Sequence, residues 1–157
     1  MDKAALAHEV ASSLVLLHEE LRSFALNASG GAWRKATANL YYAAYNATRA
    51  LLWSKGISAE SHDGAQSMLS LHFVKSGALP KDTTKHLNAL MALRQAADYK
   101  GDVPIESSDV HEHRRWAIQF VRKAIELLKV QGPKVDVKAV ERAIGEANRV
   151  KINDARK

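Results

Sequence analysis

Apolar side chains recur every three or four residues along nearly the whole chain, a period that a helix can bury and a strand cannot. Leu6, Val10, Leu14, Leu17, Leu21 and Phe24 draw one stripe, and "NASGG" stops it with residues that helix ends prefer. Trp33, Ala36, Leu40, Ala44, Ala47 and Leu51 draw a second, closed by Gly56. At helical rise each would be roughly 35 Å long, a length suited to a helical hairpin. A third, shorter helix is expected over Gly64–Ser76, with Met68, Leu69 or Leu71, and Phe73 inward and Gly77 as its stop. Pro80 opens the approach to a fourth, Lys81–Tyr99, packing through Leu87, Leu90, Met91 and Ala97. After the loop "KGDVPIESS", Ser108 is placed to cap a fifth over Asp109–Val130, with Trp116, Phe120, Ile125 and Leu128 available to a core. "QGPKVD" breaks the chain again, and Asp136 can cap a last helix through Val137, Val140, Ile144 and Ala147. No segment alternates as a strand. The expected fold is all-α: an antiparallel up-and-down helical bundle of about five helices over residues 1–131. Residues 132–157 are expected to add a C-terminal basic helix as a tail.

Three prolines and eight glycines leave these segments long, and 46% apolar residues supply a core for one domain. With no cysteine, disulfides, thiolate metal sites and a cysteine nucleophile are excluded. "MDKAALAHEV" carries acids and a histidine where a signal peptide needs an apolar core, and no window approaches the roughly 20 apolar residues of a membrane span. A soluble, cytoplasmic protein without membrane contact is expected. The net charge of +6 is uneven. Residues 1–30 carry two basic and four acidic side chains, whereas residues 129–157 carry eight basic and four acidic ones. A basic end can attract phosphate-bearing partners or simply be a solvated helix face.

Two polar groupings stand out. In "NLYYAAYNATRALL", Asn39, Tyr42, Asn46 and Arg49 are spaced to share a helix face. They could meet a nucleotide or RNA, or serve as internal hydrogen-bonding groups of a bundle. Tyr41 and Tyr45, four apart, are expected to pack on a neighbouring helix. The second grouping is "LRQAADYKG". Arg94 and Asp98 are four apart and can pair, yet a carboxylate near a helix C-terminus opposes the macrodipole, so something must hold Asp98. Tyr99 adds a phenol at the break. A guanidinium, a carboxylate and a phenol at one helix end could bind and act on a phosphodiester.

The seven histidines show no metal-ligand spacing. His62, in "SHDG", is expected in a loop, where a titratable group can be presented. No phosphate-binding glycine loop, nucleophile elbow or dinucleotide fingerprint occurs, and no cofactor or metal is expected.

In order and spacing, "NLYYAAYNATRALLWSKGI", "SHDG", "FVKSGALP" and "LMALRQAADY" resemble the HEPN superfamily of helical nucleotide-binding domains. More narrowly they are similar to small prokaryotic members often encoded beside a minimal nucleotidyltransferase. The resemblance covers about residues 5–128. It implies a dimer that brings two copies of the Arg-bearing helix end together. In many members that end carries an Arg, a short spacer and a His, which together cleave RNA without a metal. Here Arg94 matches, while Asp98 and Tyr99 stand where the His is expected, as in the subgroup the chain most resembles. His62 could supply the proton carrier, and Tyr99 is a candidate for modification, since related partner enzymes add AMP to a nearby tyrosine. The implied function is a toxin or defence component acting on RNA as a metal-independent endoribonuclease, held in check by a nucleotidyltransferase antitoxin. The alternative is a catalytically silent nucleotide-binding or protein-interaction module.

Overall fold

The computed structural model describes residues 1–152, and the last five residues of the expected tail, 153–157, lie outside them. The helices are α1 (Lys3–Ser29), α2 (Trp33–Ser54), α3 (His62–Leu69), α4 (Thr83–Tyr99), α5 (Ser107–Gln131) and α6 (Lys138–Arg149), with no strand among the described residues. Asp2 starts α1 by accepting the Ala5 amide at 2.7 Å. Gly30 and Gly31 end it, and Gly31, at φ 74°, makes the left-handed turn that lets α2 fold back.

α2 is the axis of the bundle and packs against α1, α3, α4 and α5. A helix with neighbours on so many sides needs small side chains where those neighbours come closest. Ala36, Ala43, Ala44, Ala47 and Ala50 are all 0% exposed, as are Leu40 and Leu51. Thr37 and Thr48 are buried beside them and send their hydroxyls back to the carbonyls of Trp33 and Ala44, each at 2.9 Å. α1 contributes Val10, Leu14, Leu17, Leu21 and Phe24, the sequence stripe. α5 contributes Val110, Ile118, Val121 and Ile125.

Three local features differ from expectation. α3 begins two residues earlier than Gly64, at His62, because Ser61 rather than the loop caps it and accepts the Gly64 amide at 2.9 Å. It then widens into a π-helical turn over Ser70–Val74 instead of continuing regularly to Ser76. Glu106, not Ser108, caps α5, in a reciprocal box where Asp109 accepts the Glu106 amide at 2.9 Å.

The stretch expected as a basic tail forms α6, whose Val140, Ala143, Ile144 and Ala147 join the same apolar cluster as α1 and α5. Asp136 accepts the Lys138 amide at 2.9 Å at its start. Arg114 of α5 finishes it, donating to the carbonyls of Ala147 (3.3 Å) and Val150. Lys129 and Glu141 tie α5 to α6 at 2.9 Å. None of the described helices is long and apolar enough to cross a membrane.

The alanine face of α2 gives a direct test. Ala44→Leu inserts volume where no space exists and should destabilise the bundle by about 1–3 kcal/mol in urea denaturation. An unchanged midpoint would show that the helices are not in close contact there.

Candidate functional site

The C-terminal end of α4, the middle of α2 and the first turn of α3 converge. Arg94 is the centre. It is 7% exposed, and its guanidinium lies over two aromatic faces of α2, 5.1 Å from the Tyr41 ring centroid and 5.5 Å from that of Tyr42. Burying a cation is costly unless compensating groups surround it. Two electron-rich faces and one carboxylate do so here: Asp98 lies 3.5 Å from Arg94 Nη1. That separation makes an ion pair rather than a tight hydrogen bond. Arg94 Nε is buried without a hydrogen-bond partner, so the surrounding groups do not fully satisfy the guanidinium. The sequence places Arg94 at a helix end; the fold also buries it beneath α2.

His62, expected in a loop, is the first residue of α3 and belongs to the same cluster. Its ring stacks on Tyr45 at 4.1 Å between centroids, nearly parallel at 8°, and more distantly on Tyr41 at 5.6 Å. The Tyr41 hydroxyl and His62 Nδ1 share a hydrogen bond. His62 and Arg94 are therefore joined through one side chain, Tyr41, whose ring meets the cation and whose hydroxyl meets the imidazole. Tyr41 and Tyr45 pack on a neighbouring helix as their spacing suggested. That one of them would link two polar residues has no signature in the sequence.

Burial pushes the Tyr41 phenol up to about 12, against the opposing pull of the Arg94 cation. The phenol therefore keeps its proton throughout the neutral range. Burial likewise pushes His62 below the ordinary imidazole value, the Arg94 charge pushes it further the same way, and Asp63 opposes both. His62 is thus neutral at neutral pH. When Tyr41 oxygen accepts from Nδ1–H, Nε2 is left bare and able to take a proton.

The remaining sequence candidates are distributed differently. Of the α2 stripe, Tyr42 reaches Arg94 and packs edge-on against Tyr41. Asn39 faces α1, accepting from Asn27 at 2.8 Å and donating to Glu20 at 2.9 Å. Asn46 is buried and donates to the Tyr42 carbonyl at 2.9 Å, and Arg49 is half-buried. Tyr99, at 77% exposed, projects into solvent.

Arg34 escaped the sequence reading. It closes the end of α4 by donating from Nη1 to the carbonyls of Ala96 (3.2 Å), Ala97 (3.0 Å) and Lys100 (3.2 Å). Its Nη2 reaches Gly101 (3.3 Å) and Val103. This cation sits where the α4 dipole is negative, which eases the presence of Asp98 there. The available signal was an Arg in the first turn of α2, a locally unfavourable place that implies use elsewhere.

The electrostatics predict a His62 titration midpoint below the ordinary value of about 6.5. Replacing Arg94 by Gln removes one of the two depressing influences and should raise it. Imidazole proton shifts followed by NMR read both. A native midpoint at or above the ordinary value would separate His62 from Arg94.

Among the described residues, no group of three or more His, Cys, Asp or Glu side chains is arranged to hold a metal ion. Comparison with known proteins gives a consistent picture. A UPF0332 protein of Pyrococcus horikoshii is 37% identical over 79 residues, half of this chain but only 56% of that protein's length. A UPF0332 protein of Thermotoga maritima is 34% identical over 97 residues, covering 60% of this chain and 74% of the relative. A Methanocaldococcus jannaschii protein whose name proposes a toxin is 29% identical over 98 residues, 62% of this chain and 73% of its own. The HEPN domain model matches residues 18–131, from within α1 to the end of α5, and so contains every residue of the Arg94 cluster. This chain belongs to the HEPN domain family.

Proposed function

We propose that this protein is the toxin or defence component of a two-protein system and cuts RNA without a metal. The observation that carries the reading is the connection of Arg94 to His62 through Tyr41. It brings together an anion-binding cation and a neutral imidazole, although the chain has no His directly after Arg94. In the proposed reaction the ribose 2′-oxygen attacks the adjacent phosphorus while His62 Nε2 takes its proton. Arg94 stabilises the charge gathering on the phosphate oxygens, and Asp98 holds the guanidinium. The bond to the 5′-oxygen breaks, solvent protonates that oxygen, and a 2′,3′-cyclic phosphate remains. Tyr42 and Arg49, half-exposed on α2, extend the surface available to the strand, while Asn39 ties α2 to α1 and Asn46 bonds back within α2.

The relatives named as toxins support a restraining partner, and the resemblance points to a nucleotidyltransferase. Tyr99 is exposed enough to receive a nucleotidyl group beside the site. The low exposure of Arg94 favours one second reading, a site that binds a nucleotide without turning it over.

Purified protein in EDTA should cleave single-stranded RNA and leave 2′,3′-cyclic phosphate ends. Arg94→Lys keeps the charge but loses the fork, and should reduce cleavage by about 10²–10³-fold with an unchanged melting curve. His62→Ala should remove the acid limb of the rate profile. Because neutral His62 is the active form and its midpoint is lowered, that limb should lie below the ordinary imidazole range, with a plateau above it. Binding without any cleavage between pH 6 and 9 would select the second reading.

The same proposal includes a symmetric homodimer that pairs two Arg94 sites. Its interface includes α4, the helix that carries Arg94. Light scattering at micromolar concentration should give about twice the 17.3 kDa chain mass. A monomer would remove the composite site.

A further inference from the structure

Beside the His62 cluster, between α3 with its π-helical turn and the start of α4, runs an open polar groove of about 470 Å³. Its walls include Asp63, Gln66, Ser70, Lys75, Thr84 and Asn88. Gln66 also lines the small pocket formed by Tyr41, Tyr45 and His62, so it borders both the groove and the candidate site. His62 and Gln66 are four residues apart on α3, hence on one face and about 6 Å apart along the axis.

The two amides in this groove are locked. Gln66 Nε2 donates to the Thr84 carbonyl at 3.2 Å and to Asn88 Oδ1 at 2.8 Å. Turning the Gln66 amide over would set its oxygen against the Thr84 carbonyl, and turning Asn88 would set two donors against each other. The orientation of the pair is therefore fixed. Two atoms take no part in these bonds, Gln66 Oε1 as an acceptor and Asn88 Nδ2 as a donor, at the far ends of two amides that are themselves bonded to each other. Beneath the same wall, Thr84 Oγ1 is buried without a partner.

We infer that Gln66 and Asn88 form a base-reading subsite that selects the nucleobase next to the phosphate held at Arg94. The ligand class rests on the ribonuclease reading above. A fixed acceptor and a fixed donor together match a base edge carrying a donor beside an acceptor, the logic by which Asn and Gln read adenine. Gln66 is half-buried and Asn88 exposed, which sets the Gln66 side chain deeper in the wall than that of Asn88. An exocyclic amino group projects beyond the ring and reaches a recessed acceptor, while the adjacent ring nitrogen meets the shallower donor. Adenine and cytosine offer that arrangement. Guanine and uracil would have to reach the recessed oxygen with a ring N–H. Lys75, at the end of the groove away from His62, adds positive charge for the continuing strand.

The test uses short fluorescent RNA strands made uncleavable by one 2′-deoxy substitution, so binding is read separately from catalysis. With the base beside that position varied, anisotropy titrations should show tighter binding of adenine and cytosine by about tenfold. Asn88→Ala, at an exposed position, should abolish that preference while leaving uracil binding and the melting curve unchanged. Gln66→Leu should do the same if it folds, and the Asn88 result stands without it. Binding with no base preference, or a preference that survives Asn88→Ala, overturns the subsite and leaves the ribonuclease reading intact. AMP displacing the strand at strand-like concentrations would assign the amides to free nucleotide and overturn the strand assignment. Absence of binding to every strand overturns both readings.

Discussion

Everything in this fold is arranged around a helix that is hemmed in. α2 touches four other helices, and only small side chains on its buried faces allow them to close in without voids or strain. The alanines at 36, 43, 44, 47 and 50 meet that demand, while leucines at 40 and 51 fill the wider gaps. The tyrosines are then confined to the side where α3 and α4 meet α2. There the large rings occupy the space that alanine leaves elsewhere, and their faces and hydroxyls become the lining of a polar cluster. Packing and chemistry are thus two consequences of one distribution of side-chain size along α2.

The cluster illustrates how a buried charge is kept. Arg94 gives up most of its water and receives two aromatic faces and one carboxylate at 3.5 Å in return, an environment that leaves one donor unmatched. Burial depresses His62 and the cation adds to it; burial also raises the Tyr41 phenol against the pull of the cation, so imidazole and phenol both stay neutral. The Arg94–Asp98 ion pair therefore sits among neutral aromatic and hydrogen-bonding groups. Arg34 reinforces this from outside. By satisfying the last carbonyls of α4 it fixes the helix end on which Arg94 and Asp98 stand, a task the helix cannot do for itself.

α6 shows the same separation of roles. Its basic residues colour the sequence as a charged appendage, yet one face is apolar and docks on α1 and α5. The cations that dominate its composition are on the other side: Lys138, Arg142 and Arg149 are exposed. Composition reports what faces water, and periodicity reports what does not. Arg114 capping this helix repeats the device by which Arg34 caps α4.

The sequence by itself determined the helices and their inward faces, because a 3.6-residue period of apolar groups has one way to be buried. It marked Arg94 with Asp98 as a pair, because residues four apart on a helix are neighbours wherever the helix lies. It missed the start of α3 because a single Ser61 hydroxyl, accepting one amide, moved His62 from loop to helix. What only the tertiary structure decided were the relations between helices. Tyr41 lies on α2, His62 on α3 and Arg94 on α4, and no spacing in one dimension encodes their meeting. Arg34 could be noticed as a cation in an unfavourable first turn, but the carbonyls it serves lie more than sixty residues away. Contacts of that kind are fixed by how closely α4 can approach α2, and that distance exists only once the bundle has closed.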